Sequence, residues 1–200
     1  MTSYMALPGP ERDPRADFQR SLTAVLDLLG ITAPPSADFR AQRLLVKEAL
    51  RDRTDLPEAF FAPLLRAAVD DPDPSFDRWF VDPARLAFGR ARVMEALLHY
   101  LVHGTDSERA GAARAWYWVT RLRRGDDLEP FRPFASRWLE AALHQFVTNE
   151  DLEVRRCLLA DLPLNPRYYR ENLHEQVHQA VHIARTHPDP YLRNRVEHQV

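Results

Sequence analysis

Cysteine, lysine and glycine are all scarce in this chain of 200 residues, and each scarcity removes a class of explanation. Cys157 is the single cysteine, so no internal disulfide can form. Its neighbours Val154 and Leu158 mark it as a buried thiol on a helix, suited to a reducing cytoplasm. Lys47 is the single lysine. The 27 basic residues, otherwise arginine and evenly spread, face 29 acidic ones, for a net charge of −2. A general nucleic-acid binder carries a clear basic excess, so nucleic acid is not the expected partner. Six glycines are too few for a turn-rich β fold, and no run alternates apolar with polar residues over strand length. There is no uninterrupted apolar stretch of about 18 residues to span a membrane. Residues 1–10 show no basic run followed by an apolar core, so no signal peptide is expected. Gly-x-Ser-x-Gly elbows and glycine-rich phosphate loops are also missing. No catalytic residue and no cofactor is therefore assigned, and function has to be sought in shape.

What is present is helical periodicity, punctuated by 16 prolines. The spacing predicts an extended lead-in over 1–13 and a single all-α domain over 14–200, enough chain for one real core. Asp13-Pro14 opens a first helix with Phe18, Leu22, Val25, Leu26 and Leu29 on one face, closed by Gly30. A second is expected over 38–51, with Phe39, Leu44, Leu45, Ala49 and Leu50 inward, and a third over 57–69. Asp71, Pro72, Asp73 and Pro74 predict a non-helical connection over 70–80. A fourth helix is expected from Pro83 to about His103. Thr105 with Glu108 has the spacing of a capping box and starts a fifth, closed by Gly125. Further helices are expected over 133–148, 150–162, 166–186 and from Asp189 onward.

Three turns share one pattern. Asp151 is followed by Val154 and Arg155, and Asp189 by Leu192 and Arg193, 38 residues later. Asp106 heads a weaker copy, 45 residues before Asp151. The aspartate suits a helix N-terminus, and an arginine one turn on can reach the aspartate of the next turn. This resembles the HEAT repeat, and the likeness covers roughly the last hundred residues. It implies stacked antiparallel helical hairpins in a short HEAT-like α-α superhelix, with a concave face that binds another protein or scaffolds an assembly, a homo-oligomer being the alternative. It implies no catalytic residues. HEAT-like DNA glycosylases use the same scaffold with a basic groove centred on tryptophan and aspartate; this chain has the tryptophans without a lysine-rich groove.

Four groups of residues stand out. Arg85, Arg92, Glu95, His99 and His103 share the polar face of the expected fourth helix and, with Trp118, form a candidate partner surface. Arg90 falls among Leu86, Val93, Met94, Leu97 and Leu101, where a charge needs a partner, expected from the acids of 70–82 such as Asp77 or Asp82. In the cluster Trp116, Tyr117 and Trp118, not all three rings can face one way, so core and exposed roles are both expected. His174, His178 and His182 repeat every four residues beside Glu171, a half-site geometry for zinc or nickel, and Glu171 to His174 has the Glu-x-x-His spacing of di-iron bundles. The apolar face of that helix lies on the other side, so the histidines are expected on a solvated flank, making a metal role the third reading.

Overall fold

The computed structural model describes residues 13–121, 127 and 129–199. The lead-in over 1–12 and Gly125 lie outside the described residues, but the helix expected to run on to Gly125 ends earlier, at Thr120, with Arg121 extended. Ten α-helices and no strand are found among them: α1 Pro14–Leu28, α2 Phe39–Ala49, α3 Phe61–Asp70, α4 Arg78–Phe88, α5 Arg90–His103, α6 Asp106–Thr120, α7 Arg132–Thr148, α8 Leu152–Leu159, α9 His174–Thr186 and α10 Pro190–Glu197. The all-α class expected from the periodicity is what the chain adopts.

Local chemistry sets the starts. Asp13, Asp38, Asp151 and Asp189 each accept a backbone N–H of the turn they open. Thr105 accepts the Glu108 amide while Glu108 accepts the Thr105 amide, a complete capping box for α6. From α5 onward the helices form three hairpins, α5–α6, α7–α8 and α9–α10. Helices α5, α7 and α9 pack in that order as one layer, and α6, α8 and α10 as the other. Helix α1 lies on α3, which also packs on α4 and α6. One continuous apolar core runs from Phe18 and Leu22 through Leu97, Leu101 and Phe146 to Val196. The α3–α6 crossing is close because Gly111 has no side chain: a Cβ there would overlap the Val69 carbonyl.

Three further expectations need correction. The fourth helix is two. Helix α4 begins at Arg78 and carries Pro83 within it, and Gly89, at φ 87° and ψ 146°, breaks the chain before α5. That conformation is open to glycine and strained for other residues. Second, the helix expected over 166–186 begins only at His174. Asn165 caps a single 3-10 turn, Tyr169 is extended, and its hydroxyl donates to the Pro163 carbonyl at 2.8 Å. Third, α2 buries more than the expected face: Leu50 is enclosed and Phe39 and Leu45 pack on the core as expected, but polar residues join them. Gln42, Arg43 and Val46 are buried, whereas Leu44 is exposed. The reason is an ion pair: Arg43 grips Asp71 through both Nε, at 2.7 Å, and a terminal nitrogen. Its guanidinium lies between the Phe18 and Phe76 rings, 4.5 and 4.7 Å from their centroids.

Candidate functional site

A groove of about 800 Å³ runs across α6, α8 and α10 and is bordered by the 72–75 loop. Its placement follows from the caps. Asp151 and Asp189 start α8 and α10 at matching heights, and Arg156 of α8 bonds Asp189 at 2.5 Å, fixing one helix against the next. The arginine that makes this link is one residue beyond the expected Arg155, which donates to the Phe146 carbonyl instead. Asn149 donates to Asp106 at 2.7 Å, joining the α5–α6 and α7–α8 turns.

Aromatic side chains supply the groove's apolar surface. Trp116 points into the core and stacks on Trp138, with centroids 4.0 Å apart and planes at 2°. Tyr117 and Trp118 turn the other way and line the groove, joined by Tyr191 from α10. Tyr117 and Tyr191 are 44% and 42% exposed, large apolar faces that water covers at a cost. Trp118 is fixed by a bond from its indole N–H to the Pro74 carbonyl at 3.1 Å.

Charge surrounds these rings. Arg114, Arg156 and Arg195 line the groove with Glu153 and Asp161. Arg78 and Arg121 stand over the Trp118 ring at 5.7 and 5.6 Å, and Arg121 also donates to the Tyr117 hydroxyl at 3.3 Å. Cys157 opens onto the groove, half-buried rather than enclosed. Burial pushes its thiol up to about 11, although the Arg114 guanidinium beside it pulls the other way. At neutral pH it is a protonated thiol and a poor nucleophile. Among the described residues no histidine lines the groove to activate it. The thiol donates to the Glu153 carboxylate at 3.4 Å, and Arg114 lies 3.5 Å from the same carboxylate.

The residues singled out in the sequence divide between two faces. Glu95, His99 and His103 come together with Arg137, Glu140 and His144 along a smaller α5–α7 groove. Arg137 makes two bonds to Glu95, at 2.7 and 2.9 Å, and holds its carboxyl below the ordinary value. Arg92 is drawn away to Glu58 and lies on the Phe61 ring at 3.9 Å, and Arg85 bonds Asp82 at 3.4 Å. Trp118 belongs to the larger groove. Arg90 is buried as expected, with its guanidinium over the Phe131 ring at 5.0 Å. Its expected partner Asp77 makes no hydrogen bond. Asp70 and Asp71 of the same segment are taken by Arg66 and Arg43.

His178 and His182 are exposed and His174 half-buried, its Nε2 3.3 Å from the Tyr169 carbonyl. The stretch from His174 to His178 spells His-Glu-x-x-His, and Glu175 with His178 repeats Glu-x-x-His, two motifs that were expected to be absent. Glu171 lies in a 3-10 turn ahead of α9, which removes it from the helical register that its spacing assumed. Among the described residues no three His, Cys, Asp or Glu side chains converge as a metal site requires.

Arg114, Arg156, Arg195 and Tyr191 were not read as site residues from sequence. Their common signal is position: each lies on α6, α8 or α10, and only the packing of those helices makes them neighbours. No protein-family model matches the chain, and neither does any curated protein or solved structure.

Proposed function

We propose that this chain is a short α-α superhelix of the HEAT-like type and serves as a protein-interaction module. The superhelix reading is supported by two layers of helices in chain order and by turns headed by Asp106, Asp151 and Asp189 that bond to one another across hairpins. The observation that carries the binding role is the α6–α8–α10 groove, where Tyr117, Trp118 and Tyr191 present aromatic surface in a concave setting rimmed by charge. Aromatic anchors in a concavity are what protein interfaces concentrate their binding energy on. The nucleic-acid reading is weaker because Glu153 and Asp161 sit within the lining, where they repel phosphates.

Affinity capture from the native host with paired baits tests the role. The wild-type chain retains a discrete protein, Tyr117→Ala/Tyr191→Ala loses it, and His99→Ala/His103→Ala on the other face retains it. Loss from the histidine bait with retention by the tyrosine bait moves the function to the α5–α7 face.

A further inference from the structure

Most arginines around the fold are already committed. Arg43, Arg66, Arg92, Arg137 and Arg156 each grip a carboxylate. Three arginines at the groove are not: Arg195 in its lining, and Arg78 and Arg121 over the Trp118 ring. Among the described residues, no carboxylate lies within 4.0 Å of Arg78, Arg121 or Arg195. Arg195 spends one nitrogen on the Ala160 carbonyl, and Arg121 one on the Tyr117 hydroxyl. Each keeps further donors, because a guanidinium carries five N–H groups.

Their positions matter more than their number. Arg78 and Arg121 flank Trp118 at the α6 side, and Arg195 projects from α10 at the other. Helix α8 lies between α6 and α10, packed on both. The groove therefore has cations at its two flanks and aromatic surface from Tyr117, Trp118 and Tyr191 between them. A matching ligand is anionic at both ends and apolar in the middle.

We infer that the groove takes an acidic segment of a partner protein, lying across α8, with carboxylates on either side of an apolar or aromatic residue. The inference rests on the protein-interaction reading and adds the chemistry of the partner. The flanking carboxylates meet Arg121 with Arg78 at one side and Arg195 at the other, where planar guanidinium and carboxylate groups match. The central side chain packs against the tyrosines and tryptophan. Glu153 and Asp161, both exposed at the lining, turn away a segment whose charge is continuous. A nucleic-acid strand, with phosphates at every step, would meet these two acids.

Fluorescence anisotropy tests this with two labelled peptides, a phenylalanine flanked by runs of glutamate and the same peptide with lysines in place of the glutamates. The glutamate peptide binds, the lysine peptide does not, and raised salt weakens the complex. Arg121→Glu/Arg195→Glu weakens binding by at least about tenfold. Both positions are exposed, so an unchanged thermal melt shows that the variant remains folded, and Arg78→Glu is the substitute if it does not. Equal binding of the two peptides, or an unchanged affinity after charge reversal, overturns the inference. So does displacement of the glutamate peptide by single-stranded DNA, which would assign the groove to nucleic acid. If the paired baits above lose their protein at the tyrosines while the glutamate peptide fails to bind, the interaction role stands and the acidic partner falls.

Discussion

Arg43 carries a charge where water does not reach. Its side chain is 6% exposed and that of Asp71 is not exposed at all. Burial pushes the Asp71 carboxyl up, and the Arg43 bond draws it back. Arg43→Met leaves that carboxylate alone and should cost about 3–5 kcal/mol in urea denaturation, with much of the loss recovered when Asp71 is also made apolar. The sequence predicted a buried arginine at Arg90 tied to the 70–82 acids; Arg43, tied to Asp71, is a buried arginine it did not single out. Both arginines are buried. The helical wheel found Arg90 because its neighbours are uniformly apolar, and it passed over Arg43 because Leu44 and Leu45 gave α2 a more attractive face. A pairing between distant segments overrode that local pattern. Asp77 is the second buried acid: it is fully enclosed, has no hydrogen-bond partner, and is pushed well above the ordinary carboxylate range by burial. An acid whose folded pKa is raised binds its proton more readily in the folded state. Its stabilising effect is full below the ordinary carboxylate value, and stability falls as pH rises toward the folded value, by about 1.4 kcal/mol per pH unit in that interval. Asp77→Asn should therefore raise the Tm at neutral pH and leave it unchanged near the acid end of the profile. A Tm lowered at neutral pH would mean that an ionised Asp77 is serving Arg114 or Arg43. At the exposed histidine ladder, zinc added to tag-free protein should leave the Tm unmoved; a rise would show that a third ligand joins His174 and His178.

Helix boundaries test how far local chemistry reaches. Every aspartate and threonine cap read from the sequence opens a helix, because a side-chain acceptor for free N–H groups is a local requirement. Besides the early end of α6 and the late start of α9, the boundaries that differ from expectation involve a proline and a glycine. Pro83 looks like a helix start, yet within α4 it forfeits only one backbone bond, while Phe80, Val81 and Ala84 bury around it. Gly89 stands between two stretches that both favour helix, and nothing local announces its positive φ. Gly89→Ala should cost about 1–3 kcal/mol, read from denaturant midpoints. Gly111→Ala tests a different mechanism, since the added methyl would force α6 from α3. It should cost about 1–3 kcal/mol or more by overpacking. If Gly111→Ala is neutral, the crossing is looser than its geometry requires.

At the scale of the molecule, the all-α class was legible, from helical periodicity punctuated by prolines and from the scarcity of glycine. The groove was not. Its lining comes from three helices and one loop, and none of its arginines differs in sequence from those that form surface ion pairs. Trp118 was read as a partner-surface residue, but it was grouped with residues of the opposite layer because exposed polar faces look alike before packing is known. The account's central claim is that the α6–α8–α10 face receives a protein partner. A photoreactive phenylalanine derivative placed at Tyr191, with a second protein carrying it at His99, tests that claim in the native host. The account predicts a discrete protein cross-linked from position 191 and none from position 99. A cross-link from position 99 alone, or to nucleic acid from position 191, would contradict it.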